Sequence, residues 1–282
     1  MKRFVITAIL GIVCLSLNAQ SFAKGHPELY VGKTIVVIDK DYRAPLGYRN
    51  FYSAYNKQTN TFRDDDRLFP TSSSKKYSKV EKLLGTQWEV KQVYKTSKTS
   101  LRGAQIYALE LSSGKKTVFY EYDSESDLHL EFDVIGGLEK PADFYCEDFT
   151  ITKDKFSGMT AYTSKPISGF TVSKGTKVID GQTYSVIQLH KNTVGRTCEV
   201  GKKGFIMLLE NGDRIEKPEA EIGVQVNPTG SAYVYSVDIP LTDEDLQKLS
   251  QFKVTDTKTY IFTSEVKDGD ILKEYIKCLM KE

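Results

Sequence analysis

Gly204-Phe205-Ile206-Met207-Leu208-Leu209-Glu210-Asn211-Gly212-Asp213-Arg214-Ile215-Glu216-Lys217-Pro218 reads as a β-hairpin. Five consecutive apolar residues, Phe205 to Leu209, suit a strand buried on both faces. Asn211-Gly212 joins the two residue types most tolerant of positive φ, so this pair predicts a type I′ turn, with a return strand through Ile215. Outward from this hairpin the chain reads as mainly β with an α+β C-terminal part.

Towards the C-terminus, strands are expected at Ile222 to Val226, Tyr233 to Ile239 and Lys258 to Phe262. Thr242-Asp243-Glu244-Asp245 places a capping hydroxyl and first-turn acids where they favour a helix ending near Ser250. Asp270 to Met280 carries Ile271, Leu272, Tyr275, Ile276 and Leu279 on one helical face. Back towards the N-terminus, strands are expected near Phe149 to Thr152, Met159 to Thr163, Phe170 to Val172 and Tyr184 to Leu189. Gly136-Gly137 and Glu139-Lys140-Pro141 mark a boundary between an N-terminal domain, 24–140, and a C-terminal one, 141–282.

In the N-terminal part, Thr34 to Ile38 is a β-branched strand, and Ser74 caps a short helix stopped by Gly85. Tyr30-Val31-Gly32-Lys33-Thr34-Ile35-Val36-Val37 is echoed by Leu83-Leu84-Gly85-Thr86-Gln87-Trp88-Glu89-Val90 at an offset of 53 residues. The echo suggests a duplicated module, 27–70 and 78–140, and Gly181 to Val186 repeats only its last part. Gln105 to Leu111, the turn Ser112-Ser113-Gly114 and Thr117 to Tyr122 form a hairpin, preceded by a long loop at Lys95 to Arg102. With these short strands and tight turn, residues 85–122 resemble the SH3-like small β-barrels of exported bacterial proteins. The resemblance implies a binding or spacer module without catalytic residues of its own.

Met1-Lys2-Arg3 followed by the apolar run Phe4 to Leu17 and the small residues Ala19 and Ala23 is the pattern of a secretory signal peptide, 1–19, with Ala23 as an alternative cut. An exported, periplasmic or secreted protein is expected, with no transmembrane segment in the mature chain. Cleavage after Ala19 leaves 263 of the 282 residues, and loss of Lys2 and Arg3 reduces 39 basic residues to 37 against 37 acidic ones. Such balance speaks against a nucleic-acid partner. Three cysteines remain in an oxidising space: Cys146, Cys198 and Cys278. Cys278 falls at helical spacing among Tyr275, Ile276 and Leu279 and reads as a small buried apolar residue, leaving Cys146 with Cys198 as the expected disulfide.

No motif for chemistry stands out, and no cofactor is expected. Gly32-Lys33-Thr34 is not a P-loop, because Pro27 occupies the position of its first glycine and a strand follows where a helix must. Asp64-Asp65-Asp66 lacks the alternating ligands of a calcium loop, and Asp123, Glu125 and Asp127 suit a polar turn. His26 stands beside Pro27; His129, Glu131 and Asp133 alternate on one strand face and could hold a metal, but a solvated outer face explains the alternation with nothing added, and no metal site is expected. Tyr42 to Arg63 is the densest aromatic stretch, and Tyr42, Tyr48, Arg49, Phe51, Tyr52 and Tyr55 are the types that anchor recognition surfaces, although the same rings can pack against a barrel. Two readings follow. One is an exported, non-enzymatic binding or scaffolding protein recognising a peptide, a glycan or a partner protein of the cell envelope through that stretch. The other is an envelope hydrolase using His190 as base, without a nucleophile motif.

Overall fold

The computed structural model describes residues 21–39, 46–72, 76–101, 103–125 and 130–281. The expected leader, Tyr42, the Ser74 cap, Asp127 and His129 lie outside them. The chain is mainly β and divides into two compact units, Met1–Lys140 and Pro141–Glu282, each carrying one curled antiparallel sheet.

The first unit has six strands: β1 (Thr34–Val37), β2 (Phe51–Tyr52), β3 (Gln87–Thr99), β4 (Gln105–Ser113), β5 (Lys116–Asp123) and β6 (Phe132–Val134), in the order β2-β5-β4-β3-β1-β6. Alternation buries Leu109 and Leu111 of β4 and Val118, Tyr120 and Tyr122 of β5 on one face, where Tyr30, Phe51 and Phe132 join them. The two edge strands of this curl are tied by one side chain. Glu131, buried just before β6, accepts the backbone N–H groups of Arg49 (2.8 Å) and Asn50 (3.2 Å) just before β2. Glu131 is therefore a structural carboxylate and does not share a solvated face with the exposed Asp133.

The echo at 53 residues has a structural counterpart. β1 and β3 pair with Ile35 opposite Trp88, and those two residues are themselves 53 apart. The backbone bonds around them come in matched sets. Gly32 N–H donates to Val90 C=O at 2.8 Å and Gly85 N–H to Val37 C=O at 2.9 Å. Lys33 N–H donates to Tyr30 C=O and Thr86 N–H to Leu83 C=O, both at 2.9 Å. Two helical turns, the 3₁₀ turn Pro27–Tyr30 and α1 (Val80–Leu83), thus enter one strand pair from opposite ends about a local two-fold. Helix α1 is a single turn, shorter than the sequence suggests, and the expected loop at Lys95 to Arg102 is mostly strand. Lys95 pairs with Tyr107 and Thr99 with Gln105, and the Thr96 hydroxyl donates to Ile106 C=O at 2.8 Å. Those strand residues are polar and mostly exposed, so ladder bonds hold them without an apolar pattern to announce them.

The second unit contains β7 (Phe149–Lys153), β8 (Thr160–Ser164), β9 (Phe170–Ile179), β10 (Gln182–Gly195), β11 (Lys203–Leu209), β12 (Arg214–Val226), β13 (Tyr233–Pro240), α2 (Asp243–Gln251), β14 (Val254–Thr259), β15 (Phe262–Glu265) and α3 (Gly269–Lys281). Their order in the sheet is β15-β14-β11-β12-β13-β10-β9-β8-β7. Phe205, Met207 and Leu209 of β11 are fully buried, with Ile206 and Leu208 half-buried between them, so one face of that strand dominates. They meet Leu272, Tyr275, Ile276 and Leu279 of α3 in one core. The turn after β11 has three residues, Glu210-Asn211-Gly212, with Leu209 N–H donating to Asp213 C=O at 2.9 Å and Gly212 at φ 88°. Asn211 is not at positive φ, so the expected type I′ turn is absent there. That geometry occurs instead between β9 and β10, where Asp180 and Gly181 stand at φ 50° and 77°. The expected strand Lys258 to Phe262 is interrupted by a tight turn: Lys258 and Thr259 end β14 and Phe262 begins β15, while between them Tyr260 has φ 54° and Ile261 is exposed.

Cys146 bonds to Cys278, with their Cα atoms 5.4 Å apart, and Cys198 is exposed and free. The expected Cys146–Cys198 pairing is thereby overturned. Cys278 does stand on the buried face of α3, but a half-cystine there has the same surroundings as a lone thiol. Rings gather at the bridge: Tyr145 and Phe149 lie 6.3 Å and 5.3 Å from Tyr275, whose hydroxyl donates to buried Asp148 at 2.9 Å.

Candidate functional site

The aromatic stretch does not form the expected recognition surface. Tyr48, Phe51, Tyr52 and Tyr55 are all buried, none more than 7% exposed. Strand β2 sends Phe51 and Tyr52 to opposite sheet faces: Phe51 meets Tyr120 at 4.9 Å in the main core, while Tyr52 and Tyr55 pack with Phe62, Ala108 and Phe119 in a second cluster. A segment that seals both faces of a sheet needs rings without a single periodicity, and this one has them. Burial, with the charges of Asp39 and Glu131, pushes the Tyr48 phenol up to about 12, and it donates to Ile38 C=O at 3.0 Å. Arg49 is exposed, 5.5 Å from the Tyr77 ring centre. The guanidinium that stacks closely is that of Arg67, 4.0 Å from the centre of Tyr52 and buried, with Nε and Nη1 unpaired among the described residues.

His190 stands on β10 opposite Asp238 of β13. Its Nδ1 is 2.8 Å from the Asp238 carboxylate, so a carboxylate does orient the ring as general-base chemistry requires. Its Nε2, however, is engaged with the Asn192 side-chain oxygen at 3.2 Å, and no described serine, threonine or cysteine hydrogen-bonds to the ring. His26 pairs with Glu28 at 3.0 Å near the start of the described chain. Asp123 accepts Glu125 N–H at 3.0 Å, the bond of a polar turn. Among the described residues no three His, Cys, Asp or Glu side chains are grouped to hold a metal ion.

What the sheet does build is a cleft in the second unit. The ladder between β12 and β13 stops at Ile222 opposite Val237, and beyond that pair the strands separate. β12 turns away to join β11, but its register with β11 skips from Lys203–Glu221 to Phe205–Lys217, so Pro218, Glu219 and Ala220 have no ladder partner there either. A proline inside a strand is tolerated at such a bulge, because no ladder N–H is needed. Between the diverging strands lies a space of about 790 Å³. One wall is Glu216 to Glu221; the other is Asp238, Ile239 and Pro240 with Thr242, and Gly223 and Ser236 lie where the strands rejoin. Lys217 ties the walls together by donating to Asp245 of α2 at 2.5 Å. None of these residues stood out in the sequence as a site. The available signal was Pro218 within a charged, strand-like run. No protein-family model matches the chain, and neither the curated proteins nor the solved structures yield a match.

Proposed function

We propose that this is an exported, non-enzymatic binding protein of the cell envelope whose ligand, a peptide, glycan or partner protein, seats in the β12–β13 cleft rather than on the aromatic stretch. The observation that carries this reading is the cleft itself. Its volume falls in the range of sites for small ligands, about 300–1,000 Å³, and polar groups converge on apolar walls. The Cys146–Cys278 bridge supports an oxidising destination, in accord with the signal-like start of the sequence. The SH3-like texture of residues 85–122 fits a binding or spacer role for the first unit. Against hydrolysis stands the state of His190, whose two ring nitrogens are both occupied by neighbours that are not nucleophiles.

The test is thermal unfolding of the mature protein in the presence of pooled envelope peptides and glycans. A ligand at a hundredfold excess over its Kd stabilises the folded state by about 2.7 kcal/mol, a readily measured shift. That shift is expected in the wild type and lost in Ala220→Trp, which fills the cleft. Turnover of an envelope substrate that disappears in His190→Ala would overturn the reading.

A further inference from the structure

We propose that the cleft receives lysine or arginine side chains of a basic peptide. This assignment rests on the binding reading above and adds the chemistry of the ligand. Four carboxylates line the space, Glu216, Glu219, Glu221 and Asp238, against a single cation, Lys217. Lys217 is spent on Asp245, and of the four acids Glu221 has no partner among the described residues. Glu219 meets Lys203 at 3.1 Å and Glu216 meets Arg214 at 3.9 Å, both exposed pairs that a ligand cation can displace at little cost. Asp238 holds His190.

Pro218, Ala220, Ile239 and Pro240 supply the apolar part of the lining, beside the hydroxyl residues Ser236 and Thr242. An aliphatic stem ending in a cation satisfies both halves of this lining, because the methylenes lie along the apolar wall while the charged head reaches the carboxylates. Recognition falls to side chains rather than to an added β-strand. Pro218 and Pro240 stand on the facing walls, and proline removes the N–H that strand pairing needs. A peptide is favoured over a free polyamine because the space, about 790 Å³, is larger than one aliphatic chain needs.

The experiment measures binding of a fluorescent peptide of alternating lysine and alanine to the full mature protein by polarisation. Its glutamate–alanine counterpart serves as a second probe and unlabelled spermidine as competitor. The lysine peptide is expected to bind. Neutralising Glu219→Gln together with Glu221→Gln should weaken it at least tenfold, whereas Glu265→Gln with Glu274→Gln, outside the cleft, should leave it within twofold. Unchanged melting temperatures show that both variants fold. The assignment is overturned if the lysine peptide fails to bind, if the two double variants weaken it equally, or if spermidine displaces it at equimolar concentration. If the glutamate peptide binds instead and Ala220→Trp blocks it, the cleft stands as a binding site and only its cationic preference falls. If Ala220→Trp leaves every interaction unchanged, the cleft reading falls as well.

Discussion

Nothing lies within 4 Å of where a Cβ on Gly212 would sit, and its φ of 88° places it in the left-handed region. A side chain there meets no neighbour, so the penalty for adding one is conformational alone. Gly212→Val should therefore lower stability by about 1–2 kcal/mol, the cost of forcing an ordinary residue left-handed. Asparagine tolerates this region better, so Gly212→Asn should cost less. Urea unfolding with unchanged slope would report both, and equal midpoints for the two variants would contradict the turn geometry. Asn211, meanwhile, contributes through its side chain: its amide oxygen accepts Asp213 N–H at 3.1 Å and its amide nitrogen donates to the Asp213 carboxylate at 2.9 Å. The sequence pair Asn-Gly announces that a turn is present. It does not say whether asparagine is used for its backbone tolerance or for its amide, and here it is the amide.

Helix α2 shows the kind of element that a sequence states openly. Thr242 accepts Asp245 N–H at 3.2 Å, and the Asp245 carboxylate accepts Thr242 N–H at 2.9 Å, a reciprocal cap formed by residues three apart. Local chemistry of this sort, like the apolar face of α3, was legible because all of it lies within one helix. The extension of β3 to Thr99, the passage of β12 through Pro218 and the Cys146–Cys278 bridge were not, since each depends on a partner elsewhere in the chain. The cleft belongs to that second kind: it exists because β12 exchanges one neighbour for another. The cap has a pH signature. Burial alone would raise the Asp245 carboxyl, but Lys217 and Thr242 outweigh it and hold the carboxyl below its usual range. A carboxylate so lowered contributes stability above the unfolded value, about 3.9, and loses it as pH falls through the folded value. Asp245→Asn should thus be less stable than wild type at neutral pH, with the gap narrowing below about pH 4. Thr242→Ala should cost about 1 kcal/mol. A gap that stayed constant down to pH 2 would show that the carboxylate's charge contributes nothing.

For the molecule as a whole, the proposed export carries a prediction about where the leader is cut, and the packing of the first unit bears on it. The sequence offers two cuts, after Ala19 or after Ala23. Residues between them are built into the first unit. Ser21 accepts Val134 N–H on its hydroxyl at 2.9 Å and the Tyr30 hydroxyl on its C=O at 2.8 Å. Tyr30, buried beside Tyr122 and Phe132, takes in turn Ala23 N–H at 3.0 Å, and Ala23 has no exposed surface. Burial pushes the Tyr30 phenol well above its ordinary range, so it stays neutral and needs partners for its hydroxyl. A cut after Ala23 removes Ser21 and leaves that hydroxyl without its acceptor inside the core, which costs about 1–3 kcal/mol for a buried unsatisfied group. Cleavage after Ala19 is therefore expected, giving a mature protein that starts at Gln20. Mass spectrometry of the protein recovered from outside the cytoplasm reads this directly, and two recombinant chains starting at Gln20 and Lys24 supply the energetic comparison. The chain from Gln20 should melt higher. A natural N-terminus at Lys24, or equal melting temperatures for the two chains, would mean that Ser21 to Ala23 are dispensable to the first unit despite their bonds.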